Sequence, residues 1–402
     1  MCRHRDFDGI FYILYSTPCP SQEHEGVSTV QPAAERAGKM THQPISWSCA
    51  QDDSCEASHT RFICSSMSVC AIDCTVQGDV PSSPAGLLRS ITRGAYTALR
   101  AEGPAFKVIG LQEHLQRLRS SLACILDPEA HKELDSTCRH WLSADTGAHH
   151  ESLWNCIAPT VRLAAATAKH SNPDSSTWMV VLHLCVAQAL AGERSRLSTT
   201  AYIKPLNGPL NSPVSVTVLG PPTPEIPGRS LPAAKDSKWA SDRMIHESHL
   251  SVGTTEGILC SKETALLEGL VTNLFVVAEM AGQIMLQTAH PSEGILDGVM
   301  RRLILQACSE AGVGCKEKAP LWEERHTWVQ AFTTNSVAGV RMVSSMVAVW
   351  DTAATATISF DTSPSSRMQA VLAKLAGLFA VHSQSLLGSG HTLEEQQHEE
   401  IF

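Results

Sequence analysis

No apolar run in this sequence reaches the roughly 18–20 residues that a membrane-spanning helix needs. The segment "GIFYILYS" near the start is too short for a span and poorly flanked for a secretory signal. Long blocks of Lys and Arg are also missing. With a formal net charge of −9 and a pI near 6.0, the chain has no electrostatic attraction for a nucleic-acid backbone or an anionic bilayer. Neither nucleic acid nor a membrane is expected as a partner. Of the 14 cysteines, Cys49, Cys55, Cys64, Cys70 and Cys74 crowd one N-terminal stretch, but their spacings do not form the paired C-x2-C sets of a zinc site. No metal is expected. There is no internal repeat, and there are only four tyrosines. These absences predict a soluble, cytoplasmic chain, with organelle targeting by the N-terminal stretch left open.

What remains is an ordinary globular composition: 402 residues, 43% of them hydrophobic, enough for two or three domains with real cores. Residues 1–85 mix Ser, Gln, His, Cys and Pro without a period of 2 or 3.6, which predicts a disordered extension, dispensable for fold and activity, with order beginning near Gly94. From there "GAYTALR" reads as a strand and "GPAF" as a turn. "LQEHLQRLRSSLACI" reads as a helix with Leu111, Leu115, Leu118 and Leu122 on one face, and "TWMVVLHLCV" as a buried strand. Together they predict a small α/β domain over 90–205.

A second, larger domain is predicted over 213–382. "SVTVLG" opens it as a strand, and the proline-rich "PPTPEIPG" follows as a loop, because its prolines cannot donate to a strand ladder. "GILCS", "LLEGLVTNLFVV", "QIMLQTA" and "QAFTTNS" read as strands. "GVMRRLILQACSEAG" and "MQAVLAKLAGLF" read as helices, the latter with Met368, Val371, Leu372, Leu375 and Phe379 at helical spacing. Residues 383–402 are polar and predicted to fray.

Chemistry concentrates in this second block. Glu268 lies inside an apolar strand, where an ionised carboxylate costs several kcal/mol unless it is paired. It either faces a cation, such as a protonated ring nitrogen, or points to solvent beside Gly269. Gly298 opens a helix whose first amides, from Val299 and Met300, suit a phosphate, although glycine is common at helix starts. Thr333, Thr334 and Ser336 end a strand with hydroxyls suited to phosphate oxygens or to a polar turn. Lys235 follows two alanines on a chain entering the core; a desolvated ammonium there would have a lowered pKa and could form a Schiff base, whereas most lysines are solvated.

In order and interval these segments resemble the fold-type IV pyridoxal-phosphate enzymes, which include branched-chain and D-amino-acid aminotransferases and aminodeoxychorismate lyase. "LQEHLQRLRSS", "AAK", "LLEGLVTNLFVV" and "GILDGVMRRLIL" carry the likeness over about residues 90–350. The resemblance implies an α/β, two-domain enzyme, with a small domain, a larger one around a bent β-sheet or barrel, and pyridoxal 5′-phosphate in the cleft of a homodimer. It implies Lys235 as the Schiff-base lysine and proton carrier, Glu268 on the pyridine nitrogen, and Arg117, Gly298, Val299, Met300 and Ser336 around the phosphate. The implied reaction moves an amino group between an amino acid and a 2-oxo acid. A lyase-like elimination and a non-catalytic protein that kept the fold stand beside it. Two departures support the last of these: no tyrosine follows the lysine at the expected distance, Trp239 being one position short, and Asp297 replaces the usual proline. Arg100 and Arg243 are candidates for a substrate carboxylate.

Overall fold

The structure is a computed structural model and describes residues 68–127, 134, 138–139, 142, 148–187, 195–207, 212–280, 283–350 and 357–387. The readings made for residues 1–67, including Cys49, Cys55 and Cys64, and for 388–402 lie outside the described residues. In chain order come β1 (Val69–Ile72), β2 (Thr75–Val76), α1 (Pro84–Ser90), β3 (Ala95–Glu102), β4 (Lys107–Ile109), α2 (Leu111–Ile125), α3 (Ala148–Ser171), β5 (Thr177–Ala187) and β6 (Arg196–Pro205). Then follow β7 (Val214–Val218), the short α4 (Trp239–Asp242) and α5 (Met244–Glu247), β8 (Glu256–Cys260), β9 (Leu266–Gly269), β10 (Asn273–Met280) and β11 (Gln283–Thr288). The chain ends with α6 (Val299–Glu310), β12 (Cys315–Glu317), β13 (Trp328–Asn335), β14 (Gly339–Ala348), β15 (Thr357–Ser359), α7 (Ser366–Val381) and β16 (Ser383–Ser385).

The first sheet is antiparallel, in the order β16-β4-β3-β5-β6-β1-β2. Its central strand β5 is buried on both faces, so its sequence is a continuous apolar run rather than an alternation. Trp178, Val180, Leu182 and Leu184 pack with Leu111, Leu115, Leu118 and Leu122 of α2 and with the Ile157–Val161 stretch of α3. Met179 and Val181 point to the opposite face and meet Tyr96 and Leu88.

The second sheet curls on itself. Strands β10-β13-β14-β7-β8-β9 run side by side, and β9 pairs back onto β10 through Glu268 and Asn273, closing a six-stranded barrel. All six strands contribute to one cluster that includes Val216, Ile258, Leu266, Val276, Ala331 and Met346. Strands β11, β12 and β15 extend the sheet outside this ring, and α6 packs against α7.

Two expectations are corrected here. Order does not begin near Gly94: β1 pairs along β6, Val69 with Ile203 and Cys70 with Tyr202, and Val69, Cys70 and Ala71 are buried. Four residues are too few for a period to show in the sequence, and the pairing edge that orders them is over a hundred residues away. Nor does the chain fray from residue 383, because β16 pairs with β4 and Leu386 and Leu387 are buried. The first sheet thus takes strands from both ends of the described chain, and bounds at 90–205 and 213–382 leave out β1, β2 and β16.

Candidate active site

The loop carrying Lys235 is stitched to the first sheet. Tyr96 N–H donates to the Lys235 carbonyl at 2.9 Å and Ser237 N–H to the Gly94 carbonyl at 2.8 Å. Lys235 N–H in turn donates to Ser121 Oγ at 3.0 Å, and Arg93 forks onto Asp236 at 2.6 and 3.0 Å. Gly94 permits this close approach, since a Cβ there would lie 2.1 Å from the Leu184 carbonyl oxygen. The Lys235 side chain enters a cavity of about 430 Å³ between the first sheet and the barrel. Burial lowers its pKa, helped by Arg117 and Arg229 and opposed by Tyr96 and Glu268. Lys238, by contrast, is half-exposed and pairs with Asp242.

Glu268 ends β9 and faces the same cavity. Its partner is in the chain itself: Arg229 Nη1 donates to Oε1 at 2.8 Å, and Leu296 N–H donates to Oε2 at 3.0 Å. A cofactor cation is therefore not needed to explain its burial. Burial raises the carboxyl pKa, while Arg229, the Leu296 amide and Lys235 pull it down. Arg229 also donates to the Ala234 carbonyl at 2.8 Å and lies 5.3 Å from the centre of the Trp239 ring. The sequence reading missed this arginine, which sits in a Pro- and Gly-rich loop where a solvated role is the default.

The far end of the cavity gathers anion-binding groups. The N-cap of α6, Gly298, offers no side chain, so the first amides of the helix stay uncapped, and Val299 and Met300 line the cavity. Glycine is required there: a Cβ would lie 2.1 Å from Asn273 Oδ1. Asn273 Nδ2 donates to the Leu296 carbonyl at 2.9 Å, tying β10 to the turn before α6. Arg117, on the inner face of α2, donates to Thr97 Oγ1 at 2.9 Å, and its buried Nε has no protein partner. Burial, with Arg302 nearby, lowers its pKa to about 10. Ser336 lines the same cavity. Thr334 Oγ1 donates to the Gly339 carbonyl at 2.9 Å, and Thr333 faces a separate, smaller cavity beside Glu256. An uncapped helix start, an arginine whose Nε has no partner among the described residues and a serine hydroxyl suit phosphate oxygens.

The two departures stand, and Asp297 still acts by charge on Arg117. Asp297 lies 3.2 Å from Arg301 and 3.7 Å from Arg302 and does not line the cavity. Trp239 is a clamp, its Nε1 donating to the Leu270 carbonyl at 2.7 Å. The two carboxylate candidates separate. Arg100 pairs with Glu102 at 2.8 Å and lies off the cavity, so it is withdrawn; Arg243 lines the cavity, with Nε on Glu247 at 2.8 Å. Opposite the charged groups stands an apolar wall of Leu88, Ala98, Met179, Val181 and Leu206. Ser83, Pro84 and Ala85 extend it, from a stretch read as extension.

A profile of the class IV amino-transferase family matches residues 94–346. A search of curated proteins returns no match. Among solved structures, a branched-chain aminotransferase from Thermoproteus uzoniensis with norvaline is similar at 16% identity and a TM-score of 0.56, over 80% of this chain and 100% of that one. The branched-chain amino acid aminotransferase from Escherichia coli matches at 16% identity and 0.52, over 80% and 99%. A hypothetical aminotransferase from Mycobacterium tuberculosis, in its PLP-bound form, matches at 13% and 0.52, over 77% and 99%. At these identities the structural likeness shows a shared fold.

Proposed function

The chain belongs to the class IV aminotransferase family, and from that premise we propose that it moves an amino group between an amino acid and a 2-oxo acid on pyridoxal 5′-phosphate bound around Lys235. One observation carries this reading: Lys235, Glu268 and Arg117, from three segments far apart in sequence, line one cavity. When bound, the cofactor supplies an electron sink for a carbanion at the substrate Cα. Lys235 would hold the cofactor covalently and carry the proton at the substrate Cα, a task suited to its lowered pKa. Glu268, backed by Arg229, would keep a proton on the ring nitrogen. Arg117, the amides of Val299 and Met300 after Gly298, and the Ser336 hydroxyl would bind the phosphate.

Arg243 is the cation at the cavity left for a substrate carboxylate, and the Leu88–Met179–Val181 wall favours an apolar side chain. A homodimer is part of the same proposal. The test is to add pyridoxal phosphate to the purified chain, record the near-visible spectrum, and screen amino donors with apolar, acidic and basic side chains. Conversion to the amino form of the cofactor by apolar donors supports the reading. A spectrum identical to free pyridoxal phosphate, or no conversion by any donor, overturns it.

A further inference from the structure

Tyr96 occupies a place that the roles above leave unused. It is 5% exposed and lines the cavity from β3, and its backbone N–H donates to the carbonyl of Lys235, so the two residues are held side by side by the main chain. The Lys235 ammonium lies 4.8 Å from the centre of the Tyr96 ring, close enough for its charge to act on the Tyr96 hydroxyl. Two further cations, Arg243 and Arg229, line the same cavity and act on the phenol through their charge.

We propose that Tyr96 is the proton partner of Lys235, a positioning residue that takes the lysine's surplus proton and returns it. In this step one proton leaves the Lys235 Nζ ammonium for the Tyr96 phenolate oxygen, giving a neutral amine and a neutral phenol; the reverse transfer restores the ion pair. No other reactant is needed and total charge is unchanged. The amine must be neutral to attack a carbonyl or to take a proton from carbon, and a buried ammonium with no acceptor beside it has nowhere to leave its proton.

The surroundings favour such a partner. Burial alone would raise the phenol pKa, but the charges of Lys235, Arg243 and Arg229 outweigh it and hold the phenol below its ordinary range. Arg117 adds to the positive field, and Glu268 is the acidic group facing Lys235. Of the other titratable neighbours, Asp236 is paired with Arg93, burial lowers the His114 ring, and burial pushes the Cys70 thiol up to about 11 and the His183 ring, cross-strand from Tyr96, down to about 4. Tyr202, packed in the same cluster, carries a phenol raised by burial, so two of the four tyrosines are pushed in opposite directions by their sites.

The proposal leans on the reading of Lys235 as the reactive amine, but its test does not require cofactor. Tyrosinate absorbance is titrated in the cofactor-free chain, in Tyr96→Phe and in Lys235→Met. One tyrosine of the four should ionise before the rest, its transition should vanish in Tyr96→Phe, and it should move up by roughly one pH unit or more in Lys235→Met. The pH at which Lys235 becomes reactive toward an amine reagent should fall in Tyr96→Phe, because the ammonium loses its anionic neighbour. Tyrosine titrations that are superimposable in all three proteins, or an unchanged Lys235 reactivity profile, would overturn the proposal. If these shifts are found but added pyridoxal phosphate does not attach at Lys235, the proposed function falls and the Tyr96–Lys235 pairing stands.

Discussion

The barrel side and the sheet side of the cavity enclose one space with opposite chemistry. On the barrel side lie Glu268 with Arg229, the uncapped start of α6 and Ser336; on the sheet side lie Ala98, Met179 and Val181 with Leu88 of α1. On the proposed function, the charged wall would hold a phosphate and a ring nitrogen, and the apolar wall would take a substrate side chain. Arg117 is the exception, a cation that the sheet side contributes through α2. Lys235 sits where the walls meet because its loop leaves the barrel strand β7 and is hydrogen-bonded to β3.

The largest effect should come from breaking the apolar wall at its base. A chain starting at Ser82 lacks β1 and β2, exposes the edge of β6 and leaves α1 without the strands before it. It should be insoluble or unfold without a cooperative transition. A soluble truncated chain with an unchanged thermal midpoint would show that this wall stands without its first two strands.

On the charged wall, Glu268→Gln leaves Arg229 buried against an amide. Removing one partner of a buried pair costs about 3–5 kcal/mol, to be read from urea unfolding of the cofactor-free chain. A loss below about 1 kcal/mol would mean that water reaches Arg229 and that the pair is not truly buried.

Glu256, on β8 behind this wall, sharpens the contrast. It accepts from the amides of Gly257 and Leu270 and from Thr272, with no cation within ion-pair distance among the described residues. Burial pushes its carboxyl up to about 7 from 4.5. The native chain therefore binds more protons than the unfolded one between those values, so stability should fall as pH rises from 4.5 to about 7, by on the order of 2–3 kcal/mol. Glu256→Gln should remove that slope, and equal slopes in both proteins would refute the assignment.

The smallest effect concerns the crossing residue. Arg117→Ala should weaken pyridoxal-phosphate binding about ten- to hundredfold, the loss of a charge-assisted contact of about 1.5–3 kcal/mol, with little change in rate at saturating cofactor. Equilibrium titration of the variant checks this, and unchanged affinity would leave Arg117 as a bracket for Thr97.

These two walls were unequally legible. On the charged wall each chemical group announces itself locally: a carboxylate in an apolar strand, a glycine before a helix, a lysine after two alanines. What stayed hidden there was Arg229, because its role depends on a loop folding back onto β9, which no local pattern records. The apolar wall was harder. Strand β5 is apolar on both faces, so the sequence cannot say that Met179 and Val181, rather than Val180 and Leu182, look into the cavity. Helix α3 carries Pro159 in its interior, which disguises a 24-residue helix. Tyr96 became significant only once Lys235 was placed beside it, and β1 and β16 only once their distant partners were known.

Lys235 is the amine that the cavity would present to pyridoxal phosphate. Borohydride reduction of the chain with pyridoxal phosphate, followed by peptide mapping, reads this directly. A single pyridoxyl group on Lys235 is the predicted result. A label on the half-exposed Lys238, or one spread over several surface lysines, would contradict it.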